Sequence, residues 1–261
     1  MSRFLGAFYR FFLPYFLSDE GLGLYQMAYP IYTTLLSLSA AGIPIAISKL
    51  VSEKVARGDR RGALAVFRIA FFMLALAGLA FSLLLLAVAP AFARQVLKEE
   101  RAATAIAAIA PAIFFVSVMS AFRGLFQGFQ QMTYHALSQV IEQVVRVATI
   151  FGLVLVLLPF GTVWQAAGAS FGAVTGAVAG LIYLVVVYWR RRPEIEQGVR
   201  EAAEPRARER TVEVIYRILR LAIPVSLAGI IFPIVSFIDS IIVPSRLHVA
   251  GFGEQATALY G

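Results

Sequence analysis

Of the charged side chains inside long apolar stretches, where a charge is costly and is kept for a partner, a water-filled path or a substrate, five are placed to do chemistry. Arg3 and Arg10 are seven positions apart, two turns of a helix, so they project from nearly the same face. Such a pair forms a cationic stripe able to meet an anionic group, unless Arg3 snorkels to the interface and leaves Arg10 alone at depth. Ser138, Glu142 and Arg146 recur every fourth residue, with Gln139 and Gln143 beside them. Glu followed by Arg at that spacing is the favourable order for an ion pair. The pair would neutralise both charges and fasten helices together; the alternative is a place in the wall of a polar cavity. Asp239 is the only acid in its apolar run. Three roles are open to it: binding a coupling cation, titrating as a proton site, or pairing with Arg10.

Other chemistries lack their residues. The chain has no cysteine and only two histidines, His135 and His248, so a disulfide framework, a thiolate metal site or a histidine cluster is not expected. No Walker loop, glycine-rich dinucleotide loop or HExxH string occurs, and neither an enzyme nor a bound cofactor or metal is expected. A net charge of +8 raises nucleic acid as a partner. Most of the basic residues, however, lie between apolar runs, the pattern of cytoplasmic membrane loops rather than of a nucleic-acid surface.

The elements that must position these residues are membrane helices. Sixty per cent of the 261 residues are hydrophobic and the mean hydropathy is +0.80, against about 45–50% apolar in soluble domains. The first apolar run, Met1 to Leu17, would reach only about 25 Å as a helix against a hydrocarbon core of about 30 Å, and is read as a clipped span. Further spans are expected at Tyr25–Ser48, Ala63–Ala89, Ala103–Phe122, Ala136–Leu158, Val163–Trp189 and Leu221–Val243. Gly168, Gly172, Gly176 and Gly180 recur every fourth residue along the sixth, a stripe that lets two backbones approach closely. Pro14, Pro30, Pro44, Pro111, Pro224 and Pro233 lie within or at the edges of spans and suit helices that bend.

Charge sets the orientation. Lys49, Lys54, Arg57, Arg60 and Arg61 follow the second span, and Arg190, Arg191, Arg192, Arg200, Arg206, Arg208 and Arg210 follow the sixth. The alternate connections are poorer in basic residues, so the rich side, with the amino terminus, is expected to be cytoplasmic. Residues 190–217 read as a basic cytoplasmic linker or surface helix between a first bundle, 1–189, and the start of a second, 218–261. Pro14, Leu17, Gly21 and Gly23 recur in the same spacing as Pro244, Leu247, Gly251 and Gly253. That repeat would pair the seventh span with the first, as in transporters built from repeated bundles.

GLGLYQMAYPIYTTLLSLSAAGIPIAISKLVSEKVARGD at 21–59 resembles the stage V sporulation protein B branch of the multidrug/oligosaccharidyl-lipid/polysaccharide (MOP) superfamily. FRGLFQGFQQMTYHALSQVIEQVVRV at 122–147 and AIPVSLAGIIFPIVSFIDSIIVPSRL at 222–247 resemble the same branch. The resemblance implies two six-helix lobes around a central cavity that opens alternately to either side. It implies here an all-α, polytopic protein of about seven membrane helices, one lobe plus the first helix of a second, in a bacterial cell membrane. Related lipid II flippases carry a Ser-Arg-x-Leu-Gly string that Ser2, Arg3, Leu5 and Gly6 match, and their cavity arginines receive the pyrophosphate of a lipid-linked sugar. Arg3 carries over. Arg10 lies one residue from the next family arginine, which aligns with Tyr9, and Thr33 and Thr34 stand near the place of the family's second-span arginines.

The resemblance thus implies a flippase for a lipid-linked saccharide of the cell envelope, with the second lobe and membrane lipids as partners and no nucleic acid. A cation-coupled multidrug exporter, with Asp239 as its ion site, is the alternative within the superfamily. A membrane scaffold without transport is the alternative outside it.

Overall fold

A computed structural model describes residues 14, 16–40, 42–200, 209–247 and 259. Arg3, Arg10, Arg206 and Gly251 lie outside the described residues, as does almost all of the first expected span. Within them the regular structure is helical: α1 (Asp19–Ala40), α2 (Ile43–Ala56), α3 (Arg60–Phe92), α4 (Ala102–Ile109), α5 (Pro111–Gly128), α6 (Met132–Val156), α7 (Thr162–Arg200) and α8 (Thr211–Leu247). A π-turn, Ala93–Leu97, ends α3, and a short 3-10 turn, Leu158–Phe160, precedes α7.

Six stretches are long and apolar enough to cross a membrane: Asp19–Ala56, Arg60–Leu97, Ala102–Gly128, Met132–Val156, Thr162–Pro193 and Thr211–Pro244. They correspond to the second to seventh expected spans. Several helices outrun the hydropathy. α2 continues through Lys54 and α7 continues to Arg200, because Glu, Lys and Arg are good helix formers once the chain has left the apolar layer. Part of the expected linker is therefore a rigid extension of α7.

The second span is broken where α1 gives way to α2, with Gly42 at the cap and Pro44 in the first turn. Pro44 has no N–H to give, which suits a helix start. Gly42 is required by a close approach: a Cβ there would stand 2.1 Å from the Ala222 carbonyl oxygen of α8. Asp59 caps α3, its carboxylate accepting from the Gly62 N–H at 2.8 Å, which satisfies one of the donors a helix start leaves open.

The interior divides into two apolar layers. One gathers α1, the end of α3, α4 and the facing halves of α6 and α7, around Leu24, Met27, Leu97, Ile106, Ile109 and Ile113. The other gathers α2, the start of α3, α5 and the first turns of α8, around Ile47, Leu74, Leu125 and Phe126. The outward face of α3 carries Phe72, Leu76, Leu83 and Leu86, all exposed. A water-facing helix would be polar there; an apolar outer face belongs in hydrocarbon. The protein is a multi-pass membrane protein.

Candidate functional site

The polar stripe of α6 is turned inward. Ser138, Glu142 and Arg146 are buried, and they face the α7 glycines. A Cβ on Gly176 would stand 2.6 Å from the Glu142 carbonyl oxygen, and one on Gly180 would stand 3.2 Å from that of Ser138. The absent side chains let the two backbones meet, as small-residue stripes do in membrane helices.

Each oxygen of the Glu142 carboxylate receives one guanidinium. Arg146 donates to one at 2.7 Å from the same helix, and Arg123 of α5 donates to the other at 2.8 Å. Arg123 also donates through Nε to the Ser138 hydroxyl at 3.0 Å, and that hydroxyl donates to the His135 carbonyl at 2.7 Å. The three charged side chains are 9–13% exposed. The carboxylate joins a guanidinium of α5 to one of its own helix, so this arrangement is suited to fixing α5 to α6, with α7 held by the close backbone approach at its glycines. Arg123 escaped the sequence reading because its partner lies on another helix. The one available signal was an arginine directly after Phe122 in a helix that runs on to Gly128.

Thr33 and Thr34 both turn their hydroxyls to backbone carbonyls. Thr33 donates to Pro30 in its own helix at 3.0 Å, and Thr34 reaches across to Pro233 of α8, also at 3.0 Å. Ser226 of α8 accepts from the Gly42 N–H at 3.0 Å. α8 is thereby tied to α1 and α2 by two hydrogen bonds some ten ångströms apart along its axis, by the rise of about 1.5 Å per residue. Asp239 lies further along α8, exposed, and makes no hydrogen bond or ion pair among the described residues. Its neighbour Phe237 stacks on Phe92 at 5.9 Å. Pairing of Asp239 with Arg10 concerns a residue outside the described ones.

Charges also gather at the two ends of the bundle. At one end Arg101, between α3 and α4, pairs with Glu99 at 2.8 Å and with Glu20 at the start of α1. Hydrogen bonding to Glu99, reinforced by the charges of Glu99 and Glu20, raises the Arg101 guanidinium above its ordinary range, against the opposing effect of burial. At the other end Lys54 of α2 pairs with Asp59 at 3.2 Å and with Glu209 at 2.7 Å, while Arg217 of α8 pairs with Glu53 at 3.0 Å. Arg191, at that same end, donates to the Tyr134 hydroxyl at 2.8 Å. Among the described residues no group of His, Asp and Glu is placed to hold a metal ion.

The family model described as "Polysaccharide biosynthesis protein" matches residues 1–252. The chain is similar to Stage V sporulation protein B of Bacillus subtilis (strain 168), at 32% identity over all of this chain and 50% of that protein. It is similar also to Lipid II flippase MurJ of the same organism, at 29% identity over 92% of this chain and 46% of that protein. It spans about half the length of these relatives. Among solved structures, an inward-facing multidrug resistance MATE family transporter of the MOP superfamily superposes with a TM-score of 0.71 at 18% identity, covering 93% of this chain and 52% of that one. A MOP superfamily transporter from Pyrococcus furiosus gives 0.70 at 16% identity, covering 99% and 55%. At such identities the likeness is one of fold. With the family model matched over residues 1–252, this chain belongs to the polysaccharide biosynthesis protein family.

Proposed function

We propose that this chain supplies one side of the transport path of a flippase that moves a lipid-linked cell-envelope saccharide across the bacterial cytoplasmic membrane by alternating access. The observation that carries this reading is the similarity to Stage V sporulation protein B over the whole chain, with Lipid II flippase MurJ close behind. Residues 1–189 form the first bundle, 190–217 the connection, and 218–261 the start of the second. The cytoplasmic side is the one that carries the amino terminus, Arg57, Arg60, Arg61 and Arg190–Arg192.

A lipid-linked saccharide presents phosphate groups between a greasy tail and a hydrated head. Arg3 and Arg10 supply cations for that phosphate, and a guanidinium grips it through two parallel hydrogen bonds. Thr33 and Thr34 line the same path only when Thr34 lets go of Pro233. In the full-length protein, reconstituted in vesicles with a labelled lipid-linked saccharide, Arg3→Ala and Arg10→Ala are expected to slow flipping at least about tenfold, the loss of a charge-assisted contact, with normal membrane abundance. Unchanged flipping in both would reject these residues as the phosphate site. Normal abundance with lost transport would also reject the scaffold reading.

A specific observation favours the second reading. Asp239 is exposed on a membrane helix without a partner among the described residues, which suits the ion site of a cation-coupled multidrug exporter. That reading requires Asp239→Asn to abolish the cation dependence of transport. The Arg10 pairing instead requires Arg10→Ala and Asp239→Ala to hurt less together than either does alone.

A further inference from the structure

The charges at the α2–α8 end form a connected set. Lys54 donates to Glu209 at 2.7 Å and lies 3.2 Å from Asp59. Arg217 reaches Glu53 at 3.0 Å and Glu209 at 3.4 Å. Glu209 thus serves both cations, Lys54 at Oε1 and Arg217 across both oxygens. It sits just before α8, whereas Glu53, Lys54 and Asp59 belong to the end of α2 and the cap of α3. Lys54 and Asp59 are 12% and 17% exposed, and Glu53, Glu209 and Arg217 are about a third exposed, so water reaches the outer part of the set.

The set is also unevenly placed. Further along α8 the polar ties to the first bundle among the described residues are neutral hydrogen bonds, Gly42 to Ser226 and Thr34 to Pro233, beside apolar packing such as Phe237 on Phe92. Beneath the charged set, Val214 and Ile218 are 3% and 0% exposed, sealed against the first bundle. One end of the seam is fastened by ions over a closed apolar layer, and the other by neutral hydrogen bonds and apolar packing.

We propose that Glu53, Lys54, Asp59, Glu209 and Arg217 form an ionic latch that holds the first helix of the second bundle against the first bundle, and that the latch must part when that end of the transport path opens. The inference rests on the reading of α8 as part of a second, moving bundle. Several partly exposed pairs sharing one carboxylate hold together as a network while each pair alone contributes little, which is what a fastening that opens in every cycle needs.

The test is water access to the sealed layer in the full-length protein. Val214→Cys is placed in a background free of other cysteines and reacted with a membrane-impermeant maleimide in open membrane fragments, with and without Glu209→Gln/Arg217→Gln. Ser170→Cys, at a position 0% exposed within α7, reports on general loosening. The latch predicts that the double neutralisation raises the rate at 214 about fivefold or more, as expected when a network of exposed pairs is lost, with no change at 170. An unchanged rate at 214 overturns the proposal, and so does an equal rise at 170. The readout does not involve substrate, so a protein that labels as expected but moves no lipid-linked saccharide keeps the latch and loses the proposed transport activity.

Discussion

Glu142 shows how much one carboxylate decides. With both guanidiniums in place the group of three carries one net positive charge, and both oxygens are satisfied. Replacing Glu142 with Gln leaves Arg123 and Arg146 facing each other in a layer that is nine-tenths closed. Stranding a buried charge costs roughly 3–5 kcal/mol. Arg123→Met removes one cation and leaves a neutral pair, which costs far less. Thermal unfolding in detergent should therefore rank Glu142→Gln well below Arg123→Met; the reverse order would show that Arg123 is the indispensable member. The pair within α6 was legible because its partners are four residues apart on one helix. The third member was not, because a single sequence carries no record of which helices lie side by side. Thr34 is a like case: a hydroxyl near the place of a family arginine gave no hint that it would be spent on the carbonyl of Pro233.

At the scale of the element, the α7 stripe was visible as four glycines in fourfold spacing, and what they pack against was not. All four meet α6 or the residue that caps it: Leu153 and Leu157 at Gly168, Ile150 at Gly172, Glu142 and Arg146 at Gly176, Ser138 and Glu142 at Gly180, where Met119 of α5 also approaches. Gly176→Ala would push a methyl group to 2.6 Å from a backbone oxygen, and backbone cannot step aside as a flexible side chain does. Overpacking of this kind costs about 1–3 kcal/mol. The melting temperature should fall by several degrees, while Gly152→Ala, which meets nothing within 4 Å, should leave it unchanged or raise it. Equal melting temperatures for the two would mean that α6 and α7 are free to separate. Span boundaries were read from hydropathy, which reports where lipid ends rather than where the helix ends. This is why Val163–Trp189 became a helix running to Arg200.

For the whole molecule, the proposed orientation rests on charge alone. A cysteine at Arg60 should label only from the cytoplasm and one at Gly161 only from outside; labelling of both from one side would reject the proposed topology. The layering of helices, by contrast, is fixed by contacts such as Gly42 on Ala222 that leave no periodic mark in the sequence. One feature of that layering bears on how force would pass through the protein. α8 carries Pro224, Pro233 and Pro244, each lacking the N–H that would close a rung of the helix, whereas α7 is free of proline from Thr162 to Arg192. The paired α6 and α7 make a stiff girder, and α8, which packs on α1 and α2 instead, is a hinged rod whose flexing breaks few bonds that were not already missing. Strain that reaches α8 from either face would be taken up at its own prolines and leave the girder straight.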